Sequence, residues 1–255
     1  MQGRQRKLLS QNFFVNRELV KKLVRDSSIS HQDTVLEIGA GHGILTQELA
    51  LASQKVIALE LDSDLIGYLR NRFSKERNIT LINADFLNFP LPQYQYKVFA
   101  NIPFSITGEI IRKLLQSPQS PTDCYLVIQK EAADKFIPNS TQNTMAAILY
   151  HPWWEIGEAY KFAKTDFFPP PHVESVLLHI QRRALPLVPP NQKGSYYDFV
   201  SYHFTRDEFS KYASPDLWLK LFINFSKNPN SQQQRAVKGS FTRLQRTKPY
   251  PHSHI

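Results

Sequence analysis

The chain has 255 residues, 42% of them hydrophobic and 21% charged, and carries 31 Lys and Arg against 22 Asp and Glu, for a formal charge of +9. That length buries a full α/β core of roughly 170 to 180 residues and leaves a small second domain. The basic excess suits a polyanionic partner, the lone Cys124 excludes an intramolecular disulfide, and the lack of any apolar run of about 18 residues excludes a membrane-spanning helix.

In chain order, the apolar spacing predicts a helix over Leu19 to Val24 and then a short buried strand over 35–38, Val-Leu-Glu-Ile. Gly39, Gly41 and Gly43 follow at alternate positions and lead into a predicted helix over 44–52. Such a strand, glycine turn and helix lets the backbone approach a ligand closely and presents free N–H groups at the helix start, which implies a nucleotide-like ligand.

The next predicted strand, 56–59, ends in Glu60, about twenty residues past the glycines, where an acid can grip ribose hydroxyls. That spacing fits a nicotinamide dinucleotide as well as S-adenosylmethionine. Two features favour the sulfonium cofactor: the Gly-x-Gly-x-Gly form preceded by Glu37, and a strand over 79–82 running into Asn83-Ala84-Asp85. An acid at Asp85 could accept a hydrogen bond from an adenine amine.

After a helix over 63–73 and a strand over 96–100 comes Asn101-Ile102-Pro103-Phe104. An adenine N6 amine is a poor nucleophile, so a methyltransferase must hold its lone pair in line with an electrophilic methyl. The Asn101 side-chain oxygen and the Ile102 carbonyl can accept the two amine protons, Pro103 fixes the backbone that aims them, and the Phe104 ring can stack on the base. The plainer alternative is a strand ending in a turn. A helix over 107–115 and strands over 124–129 and 175–181 complete a βα alternation, read as a Rossmann-like doubly wound sheet with some antiparallel edge. Pro186, Pro189 and Pro190 mark a linker after Arg182 and Arg183.

Gln11-Asn12-Phe13, Glu37 to Gly43, Glu60, Asp85, Asn101 to Phe104, and Phe167-Phe168-Pro169-Pro170-Pro171-His172-Val173-Glu174-Ser175 stand in one order along the chain. Together they resemble the ribosomal RNA adenine N6-methyltransferases, the family of the Erm macrolide-resistance enzymes and the small-subunit adenine dimethylases. The resemblance runs from about Gln11 to Lys227. It implies that Gln11 and Asn12 touch S-adenosylmethionine from the N-terminal segment, that Gly39 and Gly41 line its methionine part, and that Glu37, Glu60, Asp85 and Asn101 complete the cofactor site. It also implies that Phe104 and Phe167 stack on a flipped adenine. Phe104 replaces the Tyr of many relatives, which keeps stacking and removes a hydroxyl.

The C-terminal third, with Tyr197-Asp198-Phe199-Val200 and Trp218-Leu219-Lys220-Leu221-Phe222, resembles the Erm branch. The expected activity is therefore methylation of an adenine N6 in 23S ribosomal RNA, with macrolide-lincosamide-streptogramin B resistance as its consequence. A small-subunit dimethylase acting in assembly and a non-catalytic nucleic-acid-binding relative stay open; a nicotinamide dehydrogenase has no use for the Asn-Ile-Pro-Phe tetrad. Candidate RNA contacts are Arg112 and Lys113 after the catalytic loop, Lys161 and Lys164, and Arg243 and Arg246 in the tail, although a basic pair on a helix is often only a solvated face.

The expected division is a catalytic α/β domain at 1–182, a small α-helical RNA-binding domain at 183–226 and a basic, disordered tail at 227–255 that cannot fold alone. The tail is either an idle terminus or an arm that orders on RNA. The eight His residues show no ligand spacing with acids or Cys, so no metal is expected. With a polar, basic N-terminus, a cytoplasmic monomer acting on ribosomal RNA is expected.

Overall fold

A computed structural model of the chain describes residues 12–139, 142–208, 212–227 and 231–247. These divide into two compact units, one drawn from within 1–133 and 157–181, the other from within 134–156 and 182–255.

The first unit is built on β1 (Phe13–Phe14), α1 (Arg17–Arg25), β2 (Thr34–Ile38), α2 (Ile44–Ala52), β3 (Lys55–Glu60), α3 (Ser63–Arg72), β4 (Ile79–Asn83), β5 (Lys97–Asn101), α4 (Thr107–Gln116) and β6 (Asp123–Gln129). After the short α5 (Lys130–Asp134) and α6 (Met145–Tyr150) come β7 (Trp154–Lys161), β8 (Phe167–Phe168) and β9 (Ser175–Arg182). The main sheet has the order β4-β3-β2-β5-β6-β9-β7. Strands β4 to β6 are parallel, and β9 returns antiparallel to β6.

These strands form where the sequence offers short, continuous apolar runs. Val35, Leu36, Val56, Ala58, Val98, Phe99, Leu126 and Val127 are all buried, as expected of strands covered on both faces. Edge strand β4 is only partly buried and accordingly mixes Thr and Asn into its run. Helix α1 starts where the Asn16 side chain accepts from the Leu19 N–H at 3.1 Å, and it buries Leu19, Val20, Leu23 and Val24.

Order reverses between β2 and β5: β3 and β4 extend the sheet to one side, β5 and β6 to the other. The carboxyl ends of β2 and β5 therefore flank a crevice, the place where open α/β sheets bind ligands. The predicted elements of this unit lie within a residue or two of those observed. Strand β7 and the two-residue ribbon in which β1 pairs with β8 are not among the predicted elements.

The second unit comprises α6 with α7 (Lys193–Thr205), α8 (Pro215–Lys227), α9 (Ser231–Val237) and α10 (Ser240–Thr247). Its core is aromatic: Tyr196 packs edge-on to Phe222 and to Trp153, and its hydroxyl donates to the Ile148 carbonyl at 3.0 Å. Residues 134–156 belong to this unit, which the expected division had begun at 183.

The tail also departs from expectation, because its described part, 231–247, is helical. Asp198 on α7 accepts from the Gly239 and Phe241 N–H groups at 2.7 and 3.0 Å, capping α10, and the Phe241 ring packs on Tyr197 at 4.9 Å. A segment too polar to fold by itself is held by a cap supplied from another helix.

Candidate active site

The crevice between β2 and β5 is lined by Asn12, Phe13, Gly39, Gly41, Glu60, Asn101, Ile102, Pro103 and Phe104. An adjoining hollow is lined by Phe13, Gly39, Gly41 and Asn101 again, with Phe14, Glu37, Ala40, His42, Ile44 and Leu45. Most residues singled out for cofactor and amine thus meet in one place.

The glycine turn is held through its backbone by β3 and α3. Gly39 and Ala40 N–H donate to the Leu59 carbonyl at 2.9 and 3.0 Å, and Arg72 donates to the His42 carbonyl at 2.7 Å. Gly41 sits at φ +55°, and a Cβ there would lie 2.9 Å from the Phe13 ring. Gly43, at φ +79°, would drive a Cβ to 2.7 Å from Phe73 and 2.8 Å from Leu69. Both positions therefore need glycine for two reasons, backbone conformation and close approach.

Glu60 ends β3 buried, with one oxygen accepting from the Gly41 N–H and the other from the Asp62 N–H, each at 2.9 Å. It holds the turn in shape, and each oxygen keeps a further lone pair for a ligand hydroxyl. Glu37 is different: it is buried, neither carboxylate oxygen makes a hydrogen bond of good geometry, and Thr46 is the neighbour that comes nearest to supplying one. Burial pushes its pKa up to about 8, against the influence of Thr46, and the neighbouring Glu60 charge adds to the rise. An unpartnered buried carboxyl beside a hollow is a group awaiting a donor or a cation.

Asn101 closes β5, and its amide nitrogen donates to the Asn12 carbonyl at 2.6 Å. A carbonyl can only accept, so the NH2 must face Asn12, and the Asn101 oxygen is directed away from it. Pro103, at φ −61°, turns the chain into a 3-10 turn over Phe104–Ile106 that feeds α4. The tetrad thus supplies two acceptors and a ring on one short, stiff stretch.

Asp85 lies on the same sheet edge as Glu60, two residues beyond the Asn83 that pairs with it, but outside the lining of either hollow. Its oxygens accept from the Leu87 N–H at 2.9 Å and from Asn88 at 3.0 Å. Gln11 lies outside the described residues.

Phe167 does not line either hollow. In the β1–β8 ribbon Phe14 pairs with Phe167 and Phe13 with Phe168. Phe14 and Phe167 face the core together, with rings 5.1 Å apart, and Phe167 is 3% exposed. Phe168, by contrast, is 69% exposed. The consecutive Phe pair signals that one ring must face inward, and only the register decides which.

Lys113 is a correction. Its ammonium donates to the Phe86, Leu87 and Phe89 carbonyls at 2.6, 2.8 and 2.6 Å, which uses all three donors. It ties the loop after β4 to α4 instead of reaching for phosphate, and burial lowers its pKa, with Asp85 opposing. Arg243 likewise works within its unit, donating to the Lys238 and Ala236 carbonyls and to Ser240. Lys161 pairs with Glu174 at 3.0 Å, Lys164 donates to the His172 carbonyl at 3.0 Å, Arg112 is half-buried on α4 and Arg246 is exposed on α10.

Among the described residues no group of three or more His, Cys, Asp or Glu could hold a metal, and no helix is long and apolar enough to cross a membrane.

Comparison with known proteins agrees with this geometry. Residues 2–210 match the protein family described as ribosomal RNA adenine dimethylase. An rRNA adenine N-6-methyltransferase of Bacteroides fragilis is 35% identical over 87% of this chain and 85% of its own length. Ribosomal RNA small subunit methyltransferase A of Enterococcus faecalis is 30% identical over 78% of this chain and 71% of its own. Among solved structures, the 23S rRNA methyltransferase ErmE superposes with a TM-score of 0.75 at 27% identity, covering 83% of this chain and 98% of ErmE.

Proposed function

The chain belongs to the ribosomal RNA adenine dimethylase family, and from that premise we propose that it methylates the N6 of an adenine in 23S ribosomal RNA, using S-adenosylmethionine and conferring macrolide-lincosamide-streptogramin B resistance. The observation that carries the chemistry is the orientation of Asn101. Its amide nitrogen is held by Asn12, so its oxygen is set as an acceptor beside the glycine turn. Asn101 and the Ile102 carbonyl hold the two amine protons, which fixes the nitrogen lone pair without general-base chemistry. Phe104 stacks on the base and steadies the positive charge that develops on N6.

The residues present fit the cofactor. Glu60 can take ribose hydroxyls, the backbone of Gly39 and Gly41 allows close approach, and the unpartnered Glu37 carboxyl meets a donor or cation. When bound, S-adenosylmethionine supplies an electrophilic methyl on a sulfonium. The target adenine must leave its stack to reach the crevice, so an unpaired loop is the favoured substrate.

The large-subunit reading is supported by the likeness to ErmE, a 23S rRNA methyltransferase, at 27% identity over 83% of this chain. The small-subunit enzyme of Enterococcus faecalis keeps assembly-linked dimethylation as the second reading. The test is incubation with methyl-labelled S-adenosylmethionine and, separately, naked large-subunit RNA, small-subunit precursor particles and DNA, with mass-spectrometric mapping. Label on one large-subunit adenine is expected. Label confined to the small-subunit particle would support the second reading, and absence of label everywhere would refute methyl transfer.

A further inference from the structure

We propose that the outward ring of Phe168 is a stacking platform for an unpaired nucleobase next to the target adenine. The proposal rests on the RNA-methyltransferase reading and adds a substrate contact outside the crevice.

Directly opposed residues of an antiparallel pair project from the same face. Phe168 is opposed to Phe13, whose ring packs on Gly41 and His42 and lines both hollows. The alternate pair, Phe14 and Phe167, fills the core instead. The ribbon therefore places one aromatic ring against the cofactor turn and the next beside it, facing solvent. Phe168 is 69% exposed, and on the segments that carry the ribbon Val15 and Val173 are 52% and 42% exposed, apolar side chains left open to solvent.

Charge selects a nucleic acid as the occupant. Lys164 is exposed and anchored at 3.0 Å to the His172 carbonyl, one residue from Val173, with two donors left for a phosphate. The acids close by in sequence are engaged: Glu174 pairs with Lys161 at 3.0 Å, and the buried Asp166 accepts from the Ala163 N–H and from Asn16. An aromatic face and a fixed cation on one segment can hold an unpaired base without reading sequence. Phe104 lines the crevice and serves the target base, so the ring outside it serves a neighbour.

The experiment compares the full-length protein with Phe168→Ala, Phe168→Leu and Phe168→Trp, using hexaadenylate RNA and an abasic hexamer of equal charge as probes. Phe168→Ala should weaken hexaadenylate binding roughly tenfold while leaving the abasic hexamer, cofactor affinity and melting temperature unchanged. Phe168→Leu should not restore binding, and the emission added by Phe168→Trp should be quenched by hexaadenylate alone. Wild-type affinity in Phe168→Ala, or full rescue by leucine, would overturn the platform while leaving methyl transfer standing. Concentration-dependent dimerisation lost in Phe168→Ala with RNA binding intact would assign the patch to a second copy of the chain and overturn it too. Label transfer by the wild-type protein is read in parallel, so failure of the functional reading registers separately.

Discussion

The two ends of the parallel sheet treat their polar groups in opposite ways. At the amino ends of the strands they close on one another: Lys97 donates to the Ser28 carbonyl and to Asp33 at 3.0 Å, Ser28 N–H donates to the Tyr125 hydroxyl at 2.8 Å, and His179 lies 3.1 Å from Asp123. At the carboxyl ends the groups are aimed but left open. Glu60 and Asn101 are fixed by backbone partners, and Glu37 is buried with none. One end stabilises the fold, and the other accepts a cost in stability to keep acceptors ready for ligands.

Breaking the open end should have the largest effect. Gly41→Val places a branched side chain against the Phe13 ring at a positive φ, and should cut cofactor affinity and transfer together by roughly two orders of magnitude, measured by calorimetry and label incorporation. Gly43→Ala meets Phe73 and Leu69 instead and should cost about 1–3 kcal/mol of stability by denaturant titration.

Glu37→Gln sharpens the contrast, because removing this group should stabilise the ligand-free protein. With its folded pKa raised from 4.5 to about 8, the folded state keeps a proton that the unfolded state releases, so stability falls as pH rises through that window. The variant should flatten this slope and gain on the order of 2 kcal/mol at pH 8, while binding S-adenosylmethionine more weakly. A melting temperature that gains nothing between pH 5 and 8 would contradict an unpartnered Glu37.

The closed end should respond least and in the opposite sense. Burial opposes ionisation of Asp33, but hydrogen bonds from Ser30 and Lys97 outweigh it and hold its pKa below the usual carboxylate value. Its stabilisation is therefore present at neutral pH and lost as pH falls through that lowered value. Lys97→Met should cost about 1 kcal/mol at pH 7, a loss that shrinks in acid, with methyl transfer unchanged at saturating substrates.

The same contrast explains what the sequence could reveal. The glycine turn, Glu60 and the Asn101 tetrad were legible because strand, turn and helix are local and their chemistry follows from spacing. The inward placement of Phe167 was not legible, because in a consecutive aromatic pair the inward ring is chosen by pairing with β1, some 150 residues away in sequence. Lys113 was misassigned because the three carbonyls it binds lie on a loop more than twenty residues upstream. The tail reads as unfolded by composition, yet Asp198 supplies its cap from another helix. Each miss involves a long-range partner that composition and periodicity do not encode.

The most direct measurement is cofactor affinity and single-turnover methyl transfer in Asn101→Ala. If Asn101 holds the amine, transfer should fall by roughly 100-fold or more while S-adenosylmethionine binds within a fewfold of wild type. Equal loss of binding and transfer, or transfer near the wild-type rate, would contradict the role of Asn101 as acceptor of the amine protons.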